Sequence, residues 1–205
     1  MIRTKSDLRY YLECDRIALY VKSKKPRIFS DEIWRFEILL RKREYLNNVS
    51  PSRFIFLNVL RRLYAAALHY KYKQMQLKLG FSIPLNVFGP GLSIAHYGAL
   101  VVAEAAKIGA NCRIHECVTI GATNGSSEAA VIGDNVFIGS GAKIIGNVKI
   151  SSNVAIAANA VVVKDVISEQ GCTVGGVPAR VISDKTSSQN LICATEIVRR
   201  DNYSA

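Results

Sequence analysis

Several features that would place a chain in a membrane or cross-link it are missing from this sequence. No uncharged apolar stretch reaches the roughly 18 residues of a membrane-spanning helix, because Arg61 and Arg62 interrupt the most apolar part of the N-terminal third. The first residues lack the apolar core of a signal peptide. The five cysteines are odd in number and include no C-x-x-C pair. We therefore expect a cytoplasmic protein with reduced thiols.

What the sequence does contain is an aliphatic residue at every sixth position. The period skips one repeat at Ser126 without losing phase, and its members are Ile108, Ile114, Ile120, Ile132, Ile138, Ile144, Ile150, Ile156 and Val162. Neither the 3.6-residue turn of a helix nor the two-residue alternation of a strand has a period of six. A hexapeptide repeat does, because each repeat forms one flat face of a triangular parallel β-helix.

A small or β-branched residue stands two positions before each of these aliphatics. This second series suits a prism interior in which three chain faces converge, and its members are Ala106, Cys112, Val118, Ala130, Val136, Ala142, Val148, Val154 and Ala160. The alternative is a sandwich of half-buried strands, which would need turn signals every 8–12 residues or so. Those signals are absent, so the sequence predicts a mainly β protein built on a parallel β-helix.

The charge and the helical patterns divide the chain into three parts. Residues 1–80 hold 18 Lys+Arg against 7 Asp+Glu and so carry the whole net charge of +11. Their patterns predict a short arm of three helices that begin near Ser6, Asp31 and Pro51, the last ending at Gly80. Residues 81–183 form the predicted β-helix domain. Residues 184–205 form a polar C-terminal tail that we expect to be mobile.

The basic arm admits more than one function. A basic face beside apolar stripes can bind nucleic acid or an anionic membrane surface, or it can be a solvated face that packs on a neighbouring subunit. No nucleic-acid motif accompanies the charge, and the aromatic residues are not interleaved as stacking platforms. We expect no nucleic-acid partner, and the sequence leaves open peripheral contact with the inner membrane surface or contact with another subunit.

Only three histidines are available for chemistry, His69, His96 and His115. A β-helix zinc enzyme needs three histidine ligands around an open position, and the repeat region offers two, so we expect no metal. No G-x-x-x-x-G-K-[ST] phosphate loop occurs. His115 follows the interior residue Ile114 and should project from a corner of the prism. A lone histidine there can be structural or functional, and the pattern leaves both open.

Four ordered motifs resemble the serine acetyltransferase family. Residues 89–104, GPGLSIAHYGALVVAE, are similar to the family's G-x-G-[IL]-x-[IL]-D-H-x-x-G-[IV]-V-[VI]-G-E. Residues 117–121 (CVTIG) resemble S-V-T-L-G, residues 138–147 (IGSGAKIIGN) resemble I-G-A-G-A-K-I-L-G-N, and residues 176–180 (GVPAR) resemble G-[VN]-P-A-R. The resemblance covers about residues 81–183. The helical arm is much shorter than the helical domain of that family.

The resemblance implies a left-handed β-helix that assembles as a homotrimer and binds acetyl-CoA between adjacent prisms. The sequence leaves open whether two trimers pair through the arms. By the match, His96 corresponds to the general base that takes a proton from an acceptor hydroxyl as the oxygen attacks the thioester. Corner backbone groups would line the pantetheine cleft, and two basic residues would meet the CoA phosphates. The residues expected to bind acetyl-CoA are Ala122, Thr123, Ser140, Gly141, Ala158, Arg180 and Lys185.

The sequence departs from the family where that family recognises serine. The aspartate fifteen residues before the catalytic histidine is Phe81 here, and the aspartate directly before it is Ala95. Residues 124–130 replace the family's D-R-H-P segment. His96 therefore needs another orienting group, for which Glu104 is our catalytic candidate, with Asn86 and Ser82 also considered. Asn86, Tyr97 and His115 are the residues that we expect around the acceptor.

Three hypotheses follow for function. The first is an acetyl-CoA-dependent O-acetyltransferase that acts on a sugar or polysaccharide precursor, because the base is retained while the serine contacts are lost. The second is serine O-acetyltransferase of cysteine synthesis with a substitute for the missing aspartates. The third is a non-catalytic β-helix scaffold. Acetyl-CoA binding would exclude the scaffold, and the acceptor would separate the first two.

Overall fold

The computed structural model describes residues 1–27, 30–123 and 126–203. Within these residues the chain begins with helices α1 (Lys5–Ala18), α2 (Glu32–Asn48) and α3 (Ile55–Leu79). It ends with a 3-10 turn (Ser187–Gln189) and helix α4 (Ala194–Tyr203). Between them lie short strands of two to four residues. The strands are β1 (Phe81–Ser82), β2 (Ser93–Ile94), β3 (Leu100–Val102), β4 (Lys107–Ile108), β5 (Arg113–Ile114), β6 (Thr119–Gly121), β7 (Val131–Ile132), β8 (Phe137–Ile138), β9 (Lys143–Ile145), β10 (Lys149–Ile150), β11 (Ala155–Ile156), β12 (Val161–Val162), β13 (Thr173–Gly175) and β14 (Arg180–Ser183).

The strands form the three flat faces of a prism. Sheet I has the order β1-β3-β6-β9-β12, sheet II the order β4-β7-β10, and sheet III the order β2-β5-β8-β11-β13-β14. All pairings are parallel except that of β13 with β14. From β4 to β12 the chain visits sheets II, III and I in turn, so each coil contributes one strand to each face. The parallel β-helix that the six-residue period predicts is therefore confirmed.

The six-residue aliphatics stack in register along the inside of the prism. In sheet III, Ile114 pairs with Ile138 and Ile138 with Ile156, and the next partner is Val174. All of these side chains are at most 1% exposed. The small residues two positions earlier are likewise buried, as predicted. Val174 extends the period beyond Val162, where the sequence pattern was expected to end.

The skipped repeat loops out of the prism. In sheet II, Ile108 pairs with Ile132, and Ile132 pairs with Ile150. The coil between the first pair is therefore six residues longer than the coil between the second. The extra residues follow β6, and Ser126 is exposed there. The six-residue period keeps its phase because the buried aliphatic residues before and after the loop still pair with each other. Asn124 and Gly125 of this replaced segment lie outside the described residues.

Two kinds of residue allow the coils to turn sharply. A Cβ on Gly139 would lie 2.7 Å from the backbone nitrogen of Ala158 on the next coil, so only the absence of a side chain permits this approach. Between sheets II and III the turns instead use asparagine with positive φ, at Asn111, Asn135 and Asn153. Asparagine tolerates this left-handed region better than most residues do. Asn111 Nδ2 donates to Asn135 Oδ1 (2.8 Å), and Asn135 Nδ2 donates to Asn153 Oδ1 (3.0 Å).

The C-terminal segment is not the mobile tail that its polar composition predicts. It runs back along the asparagine ladder, where the Ser187 backbone N–H donates to Asn153 O and the Thr195 N–H donates to Asn111 Oδ1 (both 3.1 Å). Helix α4 then packs on α1, and this small cluster contains Cys14, Ala18, Ala194 and Val198. The prediction failed because the partners of these residues are distant in the sequence.

The helix boundaries agree with the sequence patterns in part. Thr4, and not Ser6 or Asp7, caps α1, and Asp7 completes a capping box with it. Helix α3 begins at Ile55, four residues after Pro51, and ends as predicted at Gly80 with φ of +77°. None of the described helices combines the length and apolar character needed to cross a bilayer.

A buried guanidinium joins the arm to the first coil. Arg41 is fully buried and donates to Asp15 (Nε–Oδ2 2.7 Å), to Glu44 (Nη1–Oε2 2.9 Å) and to the carbonyl oxygens of Phe88 and Gly89 (2.9 and 2.6 Å). A further bond from Nη2 to Asp15 Oδ1 measures 3.2 Å. Every N–H of the guanidinium therefore has an acceptor.

We expect Arg41→Ala to lower the free energy of unfolding by about 3–5 kcal/mol, because it leaves two carboxylates buried without their partner. Urea denaturation would measure the loss. The matched control is Arg27→Ala, which removes an exposed arginine paired with Asp31 and should cause no measurable change. Equal effects of the two substitutions would contradict a special role for the buried pair.

Candidate functional site

The predicted site residues separate into two columns of corners. The turns from sheet III to sheet I, here called the III–I corner, hold six of them, namely His96, Tyr97, His115, Ser140, Gly141 and Ala158. The turns from sheet I to sheet II, the I–II corner, hold Asn86, Glu104, Ala122 and Thr123. Arg180 begins β14 at the edge of sheet III, and Lys185 follows that strand. The expected base and the expected pantetheine cleft thus share one corner.

The two histidines of the repeat region meet at the III–I corner. His96 follows β2 and is exposed, whereas His115 follows β5 one coil further along and is partly buried. Their ring centroids are 5.7 Å apart in an edge-to-face arrangement, and His115 stands in the same way against Phe137, at 5.2 Å. The paired strands β2, β5 and β8 set these distances, because each residue occupies a neighbouring coil.

Glu116 joins the two histidines and was not predicted as a site residue. Its Oε1 accepts a hydrogen bond from Ser140 Oγ (2.5 Å), and its Oε2 lies 3.8 Å from His115 Nδ1. Oε2 is buried and has no hydrogen-bond partner among the described residues. The hydroxyl of Ser140 lowers the pKa of Glu116, so the group is a carboxylate at neutral pH. The only sequence signal was its place next to His115.

Burial and a nearby cation hold His115 in its neutral form. Partial burial lowers the pKa of His115, and the Arg113 guanidinium lowers it further, while Glu116 acts in the opposite direction. Arg113 is itself fixed by a hydrogen bond from Nη1 to Ser93 Oγ (2.8 Å) and by its position over the Tyr20 ring, 5.6 Å from the centroid. The site therefore combines a carboxylate and a guanidinium, which act in opposite directions on the pKa of one imidazole.

The side chains of His96, His115 and Glu116 have the donor types of a metal site. One ligand atom each from His96, His115 and Glu116 lie within 4.8 Å of one another. The Arg113 charge that disfavours protonated His115 would disfavour a metal cation as well. The neighbouring guanidinium therefore makes the cluster less favourable for a cation than its donor types alone suggest.

Three of the residues considered as orienting groups for His96 lie at another corner of the prism. Asn86 bonds to the arm, with its backbone N–H donating to Glu44 Oε1 (2.8 Å) and its Nδ2 donating to Asn48 Oδ1 (3.1 Å). Glu104 lines a cavity of about 420 Å³ that Asn86 also lines, together with Ser82. This cavity is at the I–II corner, so within one chain neither Glu104, Asn86 nor Ser82 orients the His96 ring.

The positions that carry aspartate in the family carry no charge here. Phe81 is 5% exposed and stands edge-on to Phe36, with ring centroids 5.1 Å apart, so this position belongs to the hydrophobic core. Ala95 is partly buried and precedes His96 directly. Of the acidic residues that the structure describes, Glu116 is the one that it brings to the histidine pair.

The residues expected to bind CoA are exposed or partly buried along the prism. Ser140 and Gly141 lie one coil beyond Glu116, and the Gly141 N–H donates to Glu116 O (3.0 Å). Ala158 follows on the next coil and is exposed, as are Arg180 and Lys185 near the end of the prism. Thr123 lies close to Gly146, on the other column of corners. These residues do not form one enclosed pocket within the single chain.

The comparisons with known proteins agree with the prism and its motifs. The family model described as bacterial transferase hexapeptide (six repeats) matches residues 129–164. A serine acetyltransferase of Synechococcus elongatus is 43% identical over 96 residues, 46% of this chain and 38% of that protein. One of Mycobacterium tuberculosis is 38% identical over 107 residues, 51% of this chain and 46% of that protein.

Solved structures extend the similarity over most of the fold. A serine acetyltransferase of Brucella abortus has a TM-score of 0.67 at 27% identity and is matched over 90% of this chain and 72% of its own. One of Neisseria gonorrhoeae, in complex with serine, has a TM-score of 0.64 at 28% identity over 86% of this chain and 69% of its own. The chain carries a serine acetyltransferase-like hexapeptide-repeat domain. The predicted left-handed β-helix behind a helical arm is confirmed. The chain spans less than half the length of the curated relatives above.

We expect the pKa of His115, followed by NMR titration, to lie below that of an ordinary histidine because burial and Arg113 disfavour its charged form. Glu116→Gln should lower the pKa further, since it removes the one charge that favours the imidazolium. Glu128→Gln, a matched change at the loop before β7, should leave the titration unchanged. An ordinary or raised pKa for His115 would contradict the proposed electrostatics.

Proposed function

We propose that the chain is an acetyl-CoA-dependent O-acetyltransferase and that His96 is its general base. The observation that carries the proposal is the exposed His96 in contact with His115, on the corner shared with Ser140 and Gly141. The named relatives support acetyl transfer, and one solved relative is a serine acetyltransferase in complex with CoA, with 25% identity and a TM-score of 0.66. The hypothesis of a non-catalytic scaffold does not explain why two histidines and a carboxylate meet at this corner.

The proposed reaction is direct transfer. His96 takes the proton of the acceptor hydroxyl while its oxygen attacks the thioester carbonyl, and the carbon–sulfur bond then breaks. The CoA sulfur leaves and receives the proton from His96, so no group on the enzyme is changed after one turnover. The nearby Glu116 carboxylate stabilises the transient His96 imidazolium by its charge. Neutral His115 supports the ring through the edge contact.

We take L-serine as the first candidate acceptor, although the sequence alone favoured a sugar. The named relatives are serine acetyltransferases, and they support the serine hypothesis better than the sugar hypothesis. The charges beside His96 also suit a zwitterion. Glu116 Oε2 has no hydrogen-bond partner among the described residues, so in this proposal the side chain turns outward and binds an ammonium group, and Arg113 binds a carboxylate. Glu116 would then substitute for the aspartates missing at Phe81 and Ala95.

A sugar hydroxyl remains the second candidate because of what stands directly around His96. Ala95 offers no charge, and Tyr97 presents an aromatic ring that is 73% exposed. A neutral ring with several hydroxyls needs no ammonium partner and can lie on an aromatic face. The homotrimer implied by the resemblance, with acetyl-CoA between adjacent prisms, belongs to either form of the proposal.

We expect thiol release from acetyl-CoA in the presence of L-serine, and we expect His96→Ala to slow it by about 10²–10⁴-fold through loss of the base. The assay is run in parallel with a panel of sugars and nucleotide sugars. Turnover with a sugar alone, still dependent on His96, would replace the first acceptor by the second. No turnover with any acceptor, or turnover unaffected by His96→Ala, would refute the proposed function.

Glu116→Gln should raise KM for L-serine by about ten- to a hundredfold with a smaller effect on KM for acetyl-CoA, since it removes a charged hydrogen bond to the acceptor. Steady-state kinetics with each substrate varied would separate the two. The matched control is Glu169→Gln, an exposed carboxylate between β12 and β13 that should change neither constant. Equal effects on both constants would mean that Glu116 acts on the fold and not on the acceptor.

A further inference from the structure

The N-terminal end of α3 is covered with apolar side chains that touch water. Eight large apolar residues within residues 54–64 are between 47% and 83% exposed, namely Phe54, Ile55, Phe56, Leu57, Val59, Leu60, Leu63 and Tyr64. Four of them are consecutive, so the exposed surface surrounds the helix instead of forming one stripe. We call residues 53–64 the arm tip. A soluble monomer rarely exposes so large a continuous apolar patch without a partner.

The charged residues in the stretch of sequence that contains the arm tip are of one sign. No aspartate or glutamate occurs in the sequence between Glu44 and Glu104. The same interval contains Arg53, Arg61, Arg62, Lys71, Lys73 and Lys78. The Arg53 guanidinium lies over the Phe54 ring, 4.9 Å from its centroid, so cation and apolar surface are next to each other. The partner of this surface should therefore be apolar inside and anionic at its edge.

A contact of the arm tip with the arm tip of a second copy does not meet this requirement. A two-fold contact through the arm tip would bring the same patch of both chains together, and each arginine of one copy would face the like charges of the other. No acidic side chain in this stretch could compensate. A lipid bilayer with anionic head groups supplies both properties, because its acyl boundary accepts apolar side chains and its phosphates attract arginine and lysine.

We propose that the arm tip binds the surface of an anionic lipid bilayer. The other end of α3 is fixed in the core, where Tyr72 and Gln76 donate hydrogen bonds to Ile83 O and Leu79 is buried. With 25 residues the helix is about 37 Å long, so its free end reaches well away from this anchored end. In this proposal the arm tip lies in the head-group region of the bilayer and does not cross the bilayer. Binding does not depend on the proposed acetyl transfer.

Vesicle sedimentation with the full chain tests the proposal. We expect binding to vesicles of phosphatidylcholine mixed with phosphatidylglycerol, no binding to phosphatidylcholine alone, and weaker binding as salt is raised. Arg53→Gln with Arg62→Gln should reduce affinity roughly thirtyfold, the factor for removing two charges from an anionic surface. Phe56→Ser with Leu63→Ser should reduce it about tenfold or more through lost apolar insertion.

The matched control is Ile167→Ser, which removes an equally exposed aliphatic, 71% accessible, from the far end of the prism and should leave binding unchanged. Circular dichroism of each variant shows that the helices are retained. Failure of the wild-type chain to bind the anionic vesicles would overturn the proposal. So would unchanged binding by both arm-tip variants, or light scattering in which Phe56→Ser with Leu63→Ser lowers the mass of the assembly, which would make a second copy the occupant.

Discussion

The position of the candidate site depends on one buried arginine. Arg41 joins α1, α2 and the first coil, and its partner Asp15 also accepts the backbone N–H groups of Gly91 and Leu92, both at 2.9 Å. Glu37, one turn before Arg41, accepts the N–H of Ile94 (3.1 Å), two residues before His96. Burial raises the pKa of Glu37 well above its usual range. The arm thus holds the backbone that leads into His96.

The sequence was sufficient for the features that repeat and insufficient for those that do not. The six-residue period predicted the interior of the prism because each buried position is set by its neighbours two and six residues away. Matching the period to corners would also have placed His96, His115 and Ser140 in one column. Arg41, Glu116 and Thr195 were missed for one reason. Each acts through partners between 24 and 84 residues away, and no local pattern encodes such pairs.

The III–I corner keeps the histidine of the serine acetyltransferase motif but not the two aspartates that the family places before it. His96 stands where the resemblance puts a base, but the aspartate positions became a core residue, Phe81, and a small one, Ala95. Negative charge returns through Glu116, which approaches from the next coil and not from the His96 segment itself. Its Oε2 lies 3.8 Å from His115 Nδ1. His96 and the carboxylate brought close to it therefore come from neighbouring coils.

The return of the C-terminal segment to α1 has a consequence for how the prism unfolds. In a solenoid each coil contacts only its neighbours, so the terminal coils can open one at a time while the rest persists. Here the chain after β14 passes Asn153 and Asn111 and ends against Cys14 and Ala18. The last coil therefore cannot open without straining the segment that also packs on α1, so the end of the prism and the helical arm are joined into one cooperative unit.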